Sequence, residues 1–340
     1  MNLKNQKCPI DLSEASRALN SNESKTKLNG MRQIITCFGK GYDCSSINSQ
    51  VANLDPKKNV ALHRFKNIIN DSYNISDFDS TSEVIASILN QFDDQDPQIK
   101  AFAVRQAGLF FTSETSAALI PIIRTASLIG DAYIRKAAAI SILKIYQNNP
   151  IMVSHFNLDA ILRTLIDDNN PNVAANALSA LTEINHMRDV PLIKISIKTI
   201  YKLLNSLETA SEWSQIQIID FITDNIPNDA KSINTDMIVE SLSTRLYQFN
   251  PGLTMAAIMC TLKMCLIRND IQWTKEILSK IIQSLVSLLN NCVEIQYIVL
   301  RSISIILQQY KNIFSENVDY FFWKKDEPIY IKSEKVDIIW

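Results

Sequence analysis

The feature that most constrains this chain is a short turn phrase that occurs three times in its first half. It reads DPQIK from residue 96, DAYIR from residue 131 and NPNVA from residue 170. Asp or Asn at the first position can accept a hydrogen bond from a free backbone N–H group at a helix start. Pro fits the first helical position because its missing N–H would have had no partner there. Each phrase therefore predicts a tight turn that opens a helix.

The β-branched residue inside each phrase begins an apolar helix face. Following Ile134, small or apolar residues recur three, four, eight and eleven places on, at Ala137, Ala138, Ile142 and Ile145. This spacing has the period of a helix and not the alternation of a strand. Because Ile99 and Val173 begin the same pattern, one template recurs along the chain, which is the mark of a repeat protein.

Weaker copies of the template extend the repeat in both directions. The predicted units start near residues 58, 99, 134, 173, 214, 253, 295 and 331, so they are spaced by 35 to 42 residues. Tetratricopeptide units have about 34 residues, whereas HEAT and armadillo units have about 40–47. The sequence therefore predicts an all-α HEAT/armadillo-type α–α superhelix, a solenoid of about eight helical pairs. We expect a polar lead-in over residues 1–20, with a first short helix near residues 13–19, and a repeat trunk over residues 21–340.

Further helices are expected between the turn phrases. They span residues 25–37, 81–92, 115–128 with a bend at Pro121, 158–165, 190–207 and 273–289. For the unit that starts near residue 295, the pattern predicts a helix with a buried face formed by Ile295, Ile298, Val299, Ile303 and Ile306.

Composition agrees with a helical array. A chain of 340 residues is long for one globular core, but a repeat array escapes that limit because each unit packs only on its neighbours. Only 6 glycines and 10 prolines favour a mostly helical chain. A net charge of −1 gives no electrostatic sign of nucleic-acid binding.

The cysteines and the apolar segments bear on location. Six cysteines without a CxxC pair are interpreted as free, buried thiols of a reduced, cytosolic protein. No secretory signal is evident at the start, and no window approaches the roughly 18 uninterrupted apolar residues of a membrane span.

The residues that usually carry enzyme chemistry are scattered. His63, His155 and His186 do not stand at metal-ligand spacing, and the chain has neither a phosphate-binding loop nor a GxSxG motif. The carboxylate pairs at residues 93–94 and 167–168 precede repeat turns, where they are interpreted as turn residues. We therefore expect no enzyme and predict no catalytic residue, metal site or cofactor.

Four phrases carry a family likeness. DPQIKAFAVR from residue 96, AYIRKAA from residue 132, NNPNVAANA from residue 169 and the FF…DEPIYIK-x-EK phrase from residue 321 resemble the trunk of the β-adaptins, the β subunits of clathrin adaptor complexes. They stand in the family's order and at about its spacing, so the likeness runs from about residue 12 to the last residue.

The resemblance implies a function and partners. A β-adaptin trunk is the solenoid of a large adaptor subunit, whose partners are a second large chain, a medium chain and a small chain. Such a complex selects cargo and coats vesicles at the Golgi, at endosomes or, in endocytosis, at the plasma membrane, so the chain would be cytoplasmic and peripheral on membranes. Family trunks continue past the phrase at 321–339 and add a linker and an appendage. The chain is therefore expected to be incomplete at its C-terminal end, and clathrin contact would depend on the missing regions.

The resemblance also implies two contact sites. A lysine-rich run that meets phosphoinositides in the family keeps only Lys25 and Lys27 here, so they form a weak candidate site for anionic lipid, and a solvated helix start is the competing interpretation. Ile85 falls at a position where some members contact an Arf-type GTPase. The neighbouring contact position is Ser82, which is not apolar, so core packing is the competing interpretation of Ile85.

One alternative function stays open at the level of sequence. Solenoid periodicity is shared with other helical-repeat scaffolds, such as nuclear transport receptors and regulatory subunits. The phrase at residues 321–335 argues against them. The sequence leaves open which adaptor complex and which cargo are involved.

Overall fold

A computed structural model describes residues 12–21, 23–39, 85–86, 88–109, 111, 115–227, 233–310 and 313–339. These residues fall into two units, 1–122 and 123–340. In the described part of the chain every regular element is a helix, which confirms the predicted all-α class. The helix expected to begin near residue 58 lies outside the described residues, whereas residues 85–86 and 88–92 of its partner, expected over 81–92, are helical.

The first unit begins with two helices that pack closely. Helix α1 (Leu12–Leu19) lies against α2 (Ser24–Gly39), so the predicted lead-in contains a folded segment. At Gly30 a Cβ would stand 2.8 Å from the Cβ of Ala18, so the missing side chain allows this approach. Helix α3 (Pro97–Leu109) follows the first strong turn phrase. The boundary at residue 20 stays a prediction.

The remaining helices follow in two alternating sets. Those that begin at the turn phrases are called leading helices and the others companion helices. In chain order the helices are α4 (Ser116–Leu128), α5 (Ala132–Asn148), α6 (Pro150–His155), α7 (Leu158–Ile166), α8 (Pro171–His186), α9 (Ile197–Ser206), α10 (Glu212–Asn225), α11 (Thr235–Ser243), α12 (Pro251–Arg268), α13 (Ile271–Leu288), α14 (Val293–Gln309) and α15 (Ile329–Ile339). Two 3₁₀ segments, Thr244–Tyr247 and Ser315–Phe321, complete the set of described elements.

The leading helices start where the sequence template places them. Helices α3, α5, α8, α10, α12, α14 and α15 each begin two residues before the predicted anchor position. In the second unit α5 packs on α8, α8 on α10, and α10 on α12, with α7, α9, α11 and α13 as the companion layer. The solenoid architecture is therefore confirmed.

Small side chains permit the close packing of α5 and α8, the most extensive helix contact in the described residues. Their alanines have almost no exposed surface, and at an alanine position two helix backbones can approach closely with little loss of side-chain entropy. The buried alanines are Ala137, Ala138, Ala139, Ala174, Ala175, Ala177 and Ala180.

One predicted helix is too long. The pattern predicts a helix over residues 190–207, whereas α9 begins only at Ile197. Pro191 disfavours the helical conformation of the residue before it, and the Leu192 N–H donates to Asn185 Oδ1 at 2.9 Å, which holds the segment outside the helix. Ser196 then caps α9 by accepting from the Thr199 N–H at 3.2 Å.

Two further expectations need correction, and two helices were not predicted. Ile298 is predicted in the buried face of α14 but is exposed, whereas Val299, Ile303 and Ile306 of that face are buried. The thiols of Cys260 and Cys265 are buried as expected, whereas Cys292 is exposed since it is the turn residue that precedes α14. Helices α6 and α11 are further elements that the sequence analysis does not predict.

Candidate interaction surfaces

The turns that open the leading helices are tied to one another along the second unit. Asn170 caps α8 by accepting from the Asn172 N–H at 3.0 Å. Asn172 Oδ1 in turn accepts from the Ser211 N–H of the next turn at 3.0 Å. One turn further, Asn250 Nδ2 donates to Glu212 Oε2 at 2.8 Å. The residues that stop and start helices thus also fix the offset between successive repeats.

The strongest tie between repeats is an ion pair. Arg135 of α5 donates to both oxygens of Asp168, from Nε at 2.7 Å and from Nη2 at 3.0 Å. Its Nη1 also donates to the carbonyls of Ile129 and Gly130, at 2.8 and 2.6 Å. The side chains of the pair are only 15% and 11% exposed.

The ion pair shifts the pKa values of both Arg135 and Asp168. Burial raises the pKa of Asp168, but the bonds from Arg135 and from the Asn170 N–H outweigh burial and leave it lowered. The bond to Asp168 raises the pKa of Arg135, although burial opposes it. Asp168 accepts from the Asn170 N–H at 2.8 Å, as the predicted turn residue would, and its contact with Arg135 adds a link between repeats that the sequence analysis does not predict.

No cluster of chemical groups typical of an enzyme is found in the described residues. Among them, no three His, Cys, Asp or Glu side chains come together as metal ligands. His155 and His186 are exposed at helix ends, and His63 lies outside the described residues. Asp94 accepts from the Asp96 N–H at 3.0 Å, as a turn residue does.

The three contact residues taken from the family resemblance lie in the first unit. Lys25 and Lys27 stand in the first turn of α2, with Lys25 exposed and Lys27 partly exposed. Ile85 is helical and partly buried. The roles of these residues in lipid and GTPase contact stay predictions.

A groove interrupts the row of leading helices in the second unit. Whereas α10 packs on α12 and α14 on α15, a cavity of about 510 Å³ separates α12 from α14. Aliphatic side chains form most of its wall. Two polar residues lie where α10 meets the groove: Thr223 of α10, whose hydroxyl donates to the Ile219 carbonyl oxygen, and Lys263 of α12. The groove is lined by Thr223, Met259, Leu262, Lys263, Leu266, Ile267, Ser302, Ile305, Ile306 and Gln309.

One apolar side chain at the rim, Ile305, stands where the four preceding leading helices have charged residues. Ile305 lies ten residues after the anchor of α14 and is 59% exposed. At that register position the four preceding leading helices have Lys144, Glu183, Asp224 and Lys263. Met259 and Leu266 of α12 are exposed as well. The groove is therefore a local change of surface character and not a general property of the array.

Two acidic residues of α10 flank Thr223, the α10 residue that lines the groove: Asp220 is three residues before it and Asp224 directly follows it. Asp220 and Asp224 lie one helical turn apart on α10, and neither has an ion-pair partner among the described residues. Burial of its carboxyl group, and then the charge of Asp224, raise the pKa of Asp220. Lys263 Nζ donates to the carbonyl oxygen of Thr223, so its charge is held against the wall.

Helix α12 is unusually apolar. Of the described helices it alone is long and apolar enough to cross a membrane, with 18 residues and a hydropathy of 1.3. It packs on α10, α11 and α13, and half of it is buried, as in the core helix of a packed array. Its exposed apolar side chains are those at the groove.

Comparison with known proteins identifies the family. The family model described as Adaptin N terminal region matches residues 9–340. This chain belongs to the adaptin family. The family resemblance found in the turn phrases is thereby confirmed over residues 9–340 of this chain.

Several similar proteins are β subunits of adaptor complexes. AP-1 complex subunit beta-1 of Mus musculus is 30% identical over 331 residues, which cover 97% of this adaptin and 35% of the relative. AP-2 complex subunit beta of Schizosaccharomyces pombe is 29% identical over 323 residues, covering 94% and 47% of the two chains. This adaptin thus spans between a third and a half of the length of these relatives.

A solved-structure comparison agrees with the fold. A chain in a homology model of the full-length AP-3 complex, in an intermediate open conformation, matches with a TM-score of 0.61 at 17% identity. The match covers 97% of this adaptin and 58% of that chain. At this identity the likeness supports the helical-repeat fold alone.

Sequence reasoning missed the groove. The available signal was the change at one register position, where Ile305 follows Lys144, Glu183, Asp224 and Lys263. An apolar residue at a position that is charged in neighbouring repeats indicates a changed surface, but only the separation of α12 and α14 makes it a groove.

Proposed function

We propose that this adaptin is the β-type large subunit of an adaptor protein complex, a scaffold for cargo selection and coat assembly in vesicle-mediated intracellular protein transport. The supporting observation is that β subunits of AP-1 and AP-2 complexes match 94–97% of the chain. The solenoid suits this role because stacked repeats present long, continuous surfaces to several partners. The chain acts as a scaffold and not as an enzyme.

The partners of this scaffold are a second large chain, a medium chain and a small chain, in a cytoplasmic complex that is peripheral on Golgi, endosomal or plasma membranes. The test is affinity purification of the tagged full-length chain from its own cells, followed by gel filtration and mass spectrometry. Co-elution of all three adaptor chains supports the proposal. Their absence from a folded, expressed chain, or recovery of a Ran-type GTPase or a phosphatase core instead, contradicts it.

Two finer contacts follow from the family likeness. Lys25 and Lys27 would add peripheral contact with anionic lipid, at about 1 kcal/mol for each basic residue near the surface. The exposed carboxylate of Glu23 beside them opposes this attraction. Co-sedimentation with vesicles containing phosphatidylserine tests the contact, and Lys25→Glu with Lys27→Glu should lower the bound fraction. Equal binding of wild type and double variant contradicts it.

The second contact is an Arf-type GTPase at Ile85. Because Ile85 is only partly buried, Ile85→Glu should weaken GTP-dependent binding of the GTPase more than it lowers the melting temperature. Loss of folding with no separate loss of binding would instead support the core-packing interpretation.

A further inference from the structure

The groove between α12 and α14 has the shape and surface of a binding site for one particular kind of ligand. From Met259 to Ile267 it runs along about 12 Å of α12, which corresponds to about two turns of a helix. Two turns can present three or four apolar side chains on one face, at positions i, i+3 or i+4, and i+7. The volume of about 510 Å³ is sufficient for several aliphatic side chains.

The residues of the two walls are compatible with only one of the common modes of peptide binding. An added β-strand needs a sheet edge with unpaired backbone groups, whereas both walls are helices whose interior backbone groups are bonded within the helix. A polyproline segment needs an aromatic-lined groove, and none of the ten lining residues is aromatic. An amphipathic helix with an aliphatic stripe fits the remaining mode, and a flexible methionine such as Met259 suits such a surface.

The charges at one end specify the ligand further. The side chains of Asp220 and Asp224 reach solvent, although the Asp220 carboxyl group is partly desolvated, and neither has an ion-pair partner among the described residues. Lys263 keeps its charge, but its ammonium group donates to the Thr223 carbonyl oxygen, so two carboxylates face one cation. Like charges one turn apart repel each other, and a cation from outside would relieve that repulsion. Arg or Lys beyond the end of the apolar stripe would supply it.

We propose that the groove between α12 and α14 binds an amphipathic helix of a partner protein, with aliphatic residues at i, i+3 or i+4, and i+7 and a basic residue that pairs with Asp220 and Asp224. Ile305, Leu266 and Met259 contact the aliphatic stripe. The proposal goes beyond the adaptor role and does not depend on it, because it concerns the surface of this chain alone.

The test uses the isolated full-length chain and three fluorescent peptides of about 16 residues, long enough for a marginal helix. The first has Leu at i, i+4 and i+7 and an Arg one turn beyond each end of the stripe. The second has the same composition with the Leu residues dispersed around the helix. The third has Glu in place of each Arg. Fluorescence anisotropy should show saturable binding of the first peptide and much weaker binding of the other two.

Variants of the chain locate the binding. Ile305→Lys introduces the residue type found at this register in α5 and α12, so it should preserve the fold. It should lower the affinity for the first peptide at least about tenfold, as removal of a central apolar contact does. Ile271→Lys changes an isoleucine outside the groove that is even more exposed, 76% against 59% for Ile305, and is the control. Asp220→Lys should lower the affinity for the peptide with Arg and raise the affinity for the peptide with Glu.

The outcomes are decisive in either direction. Failure of all three peptides to bind, equal binding of the striped and dispersed peptides, or equal losses in Ile305→Lys and Ile271→Lys would each overturn the proposal. Unchanged preference in Asp220→Lys would overturn the assignment of the basic end. None of these results depends on recovery of adaptor subunits, so the two proposals fail independently.

Discussion

The ion pair between Arg135 and Asp168 should make a large contribution to the stability of the second unit. Arg135→Ala removes two bonds to the carboxylate and two to backbone carbonyls, and it leaves Asp168 in a site that is only 11% exposed. Breaking a buried pair costs about 3–5 kcal/mol, and partial exposure favours the lower end. We therefore expect the free energy of unfolding to fall by about 3 kcal/mol.

The assay is urea unfolding followed by circular dichroism. With a denaturant slope of about 3 kcal/mol per molar, a loss of about 3 kcal/mol lowers the midpoint by about 1 M. Since repeat arrays do not always unfold in one step, hydrogen exchange should accompany the melt and show faster exchange in α5 and α8 than in α13. Arg135→Lys keeps the charge but loses the paired geometry, so it should fall between wild type and Arg135→Ala.

A matched control is available in the same unit. Arg301 also reaches a carboxylate of the next leading helix, Glu334, but at 3.4 Å and with 61% of its side chain exposed. Exposed pairs contribute about 0–1 kcal/mol, so Arg301→Ala should leave the midpoint nearly unchanged. Equal shifts for Arg135→Ala and Arg301→Ala would refute the view that burial and geometry give the first pair its strength.

The same pair has a defined pH dependence. Because the folded-state pKa of Asp168 is lowered, its contribution is complete above the unfolded value of about 3.9 and is lost as pH falls through the lower folded value. The stability difference between wild type and Asp168→Asn should therefore be flat from about pH 5 to 8 and shrink only in acid. A difference that already shrinks near neutral pH would contradict this assignment.

Three other results are expected. Lys335→Ala removes an ammonium group that is almost fully buried and bonded to Glu327, so it should lower stability by about 3 kcal/mol in the same urea assay and expose the preceding loop to proteolysis. Burial raises the pKa of the Cys260 thiol to about 11, so peptide mapping after labelling at pH 8 should find it far less modified than exposed Cys292; comparable labelling would contradict this. Ala138→Leu should overfill the α5–α8 interface and cost about 1–3 kcal/mol, whereas Ala160→Leu on an exposed face of α7 should not, and thermal melts can compare the two.

Much of the fold could be predicted because its determinants are local. An Asp or Asn that caps a helix acts on backbone groups two residues away, as Asp131 does on the Tyr133 N–H at 2.7 Å. The seven described leading helices therefore begin where the template places them. The helix predicted over residues 190–207 begins only at Ile197, because Pro191 interrupts a segment whose apolar periodicity alone favours a helix.

The sequence by itself determined the repeat, the helix starts, the small residues that let α5 and α8 approach, and the family. It did so because caps, periodicity and turn chemistry act over a few residues. Tertiary structure alone decided that Asp168 meets Arg135, that Ile298 is exposed, and that α12 and α14 separate. These results depend on the angle and distance between helices about 40 residues apart in the chain, which arise from the packing of whole layers. The groove for which we propose a helical ligand is a product of that packing.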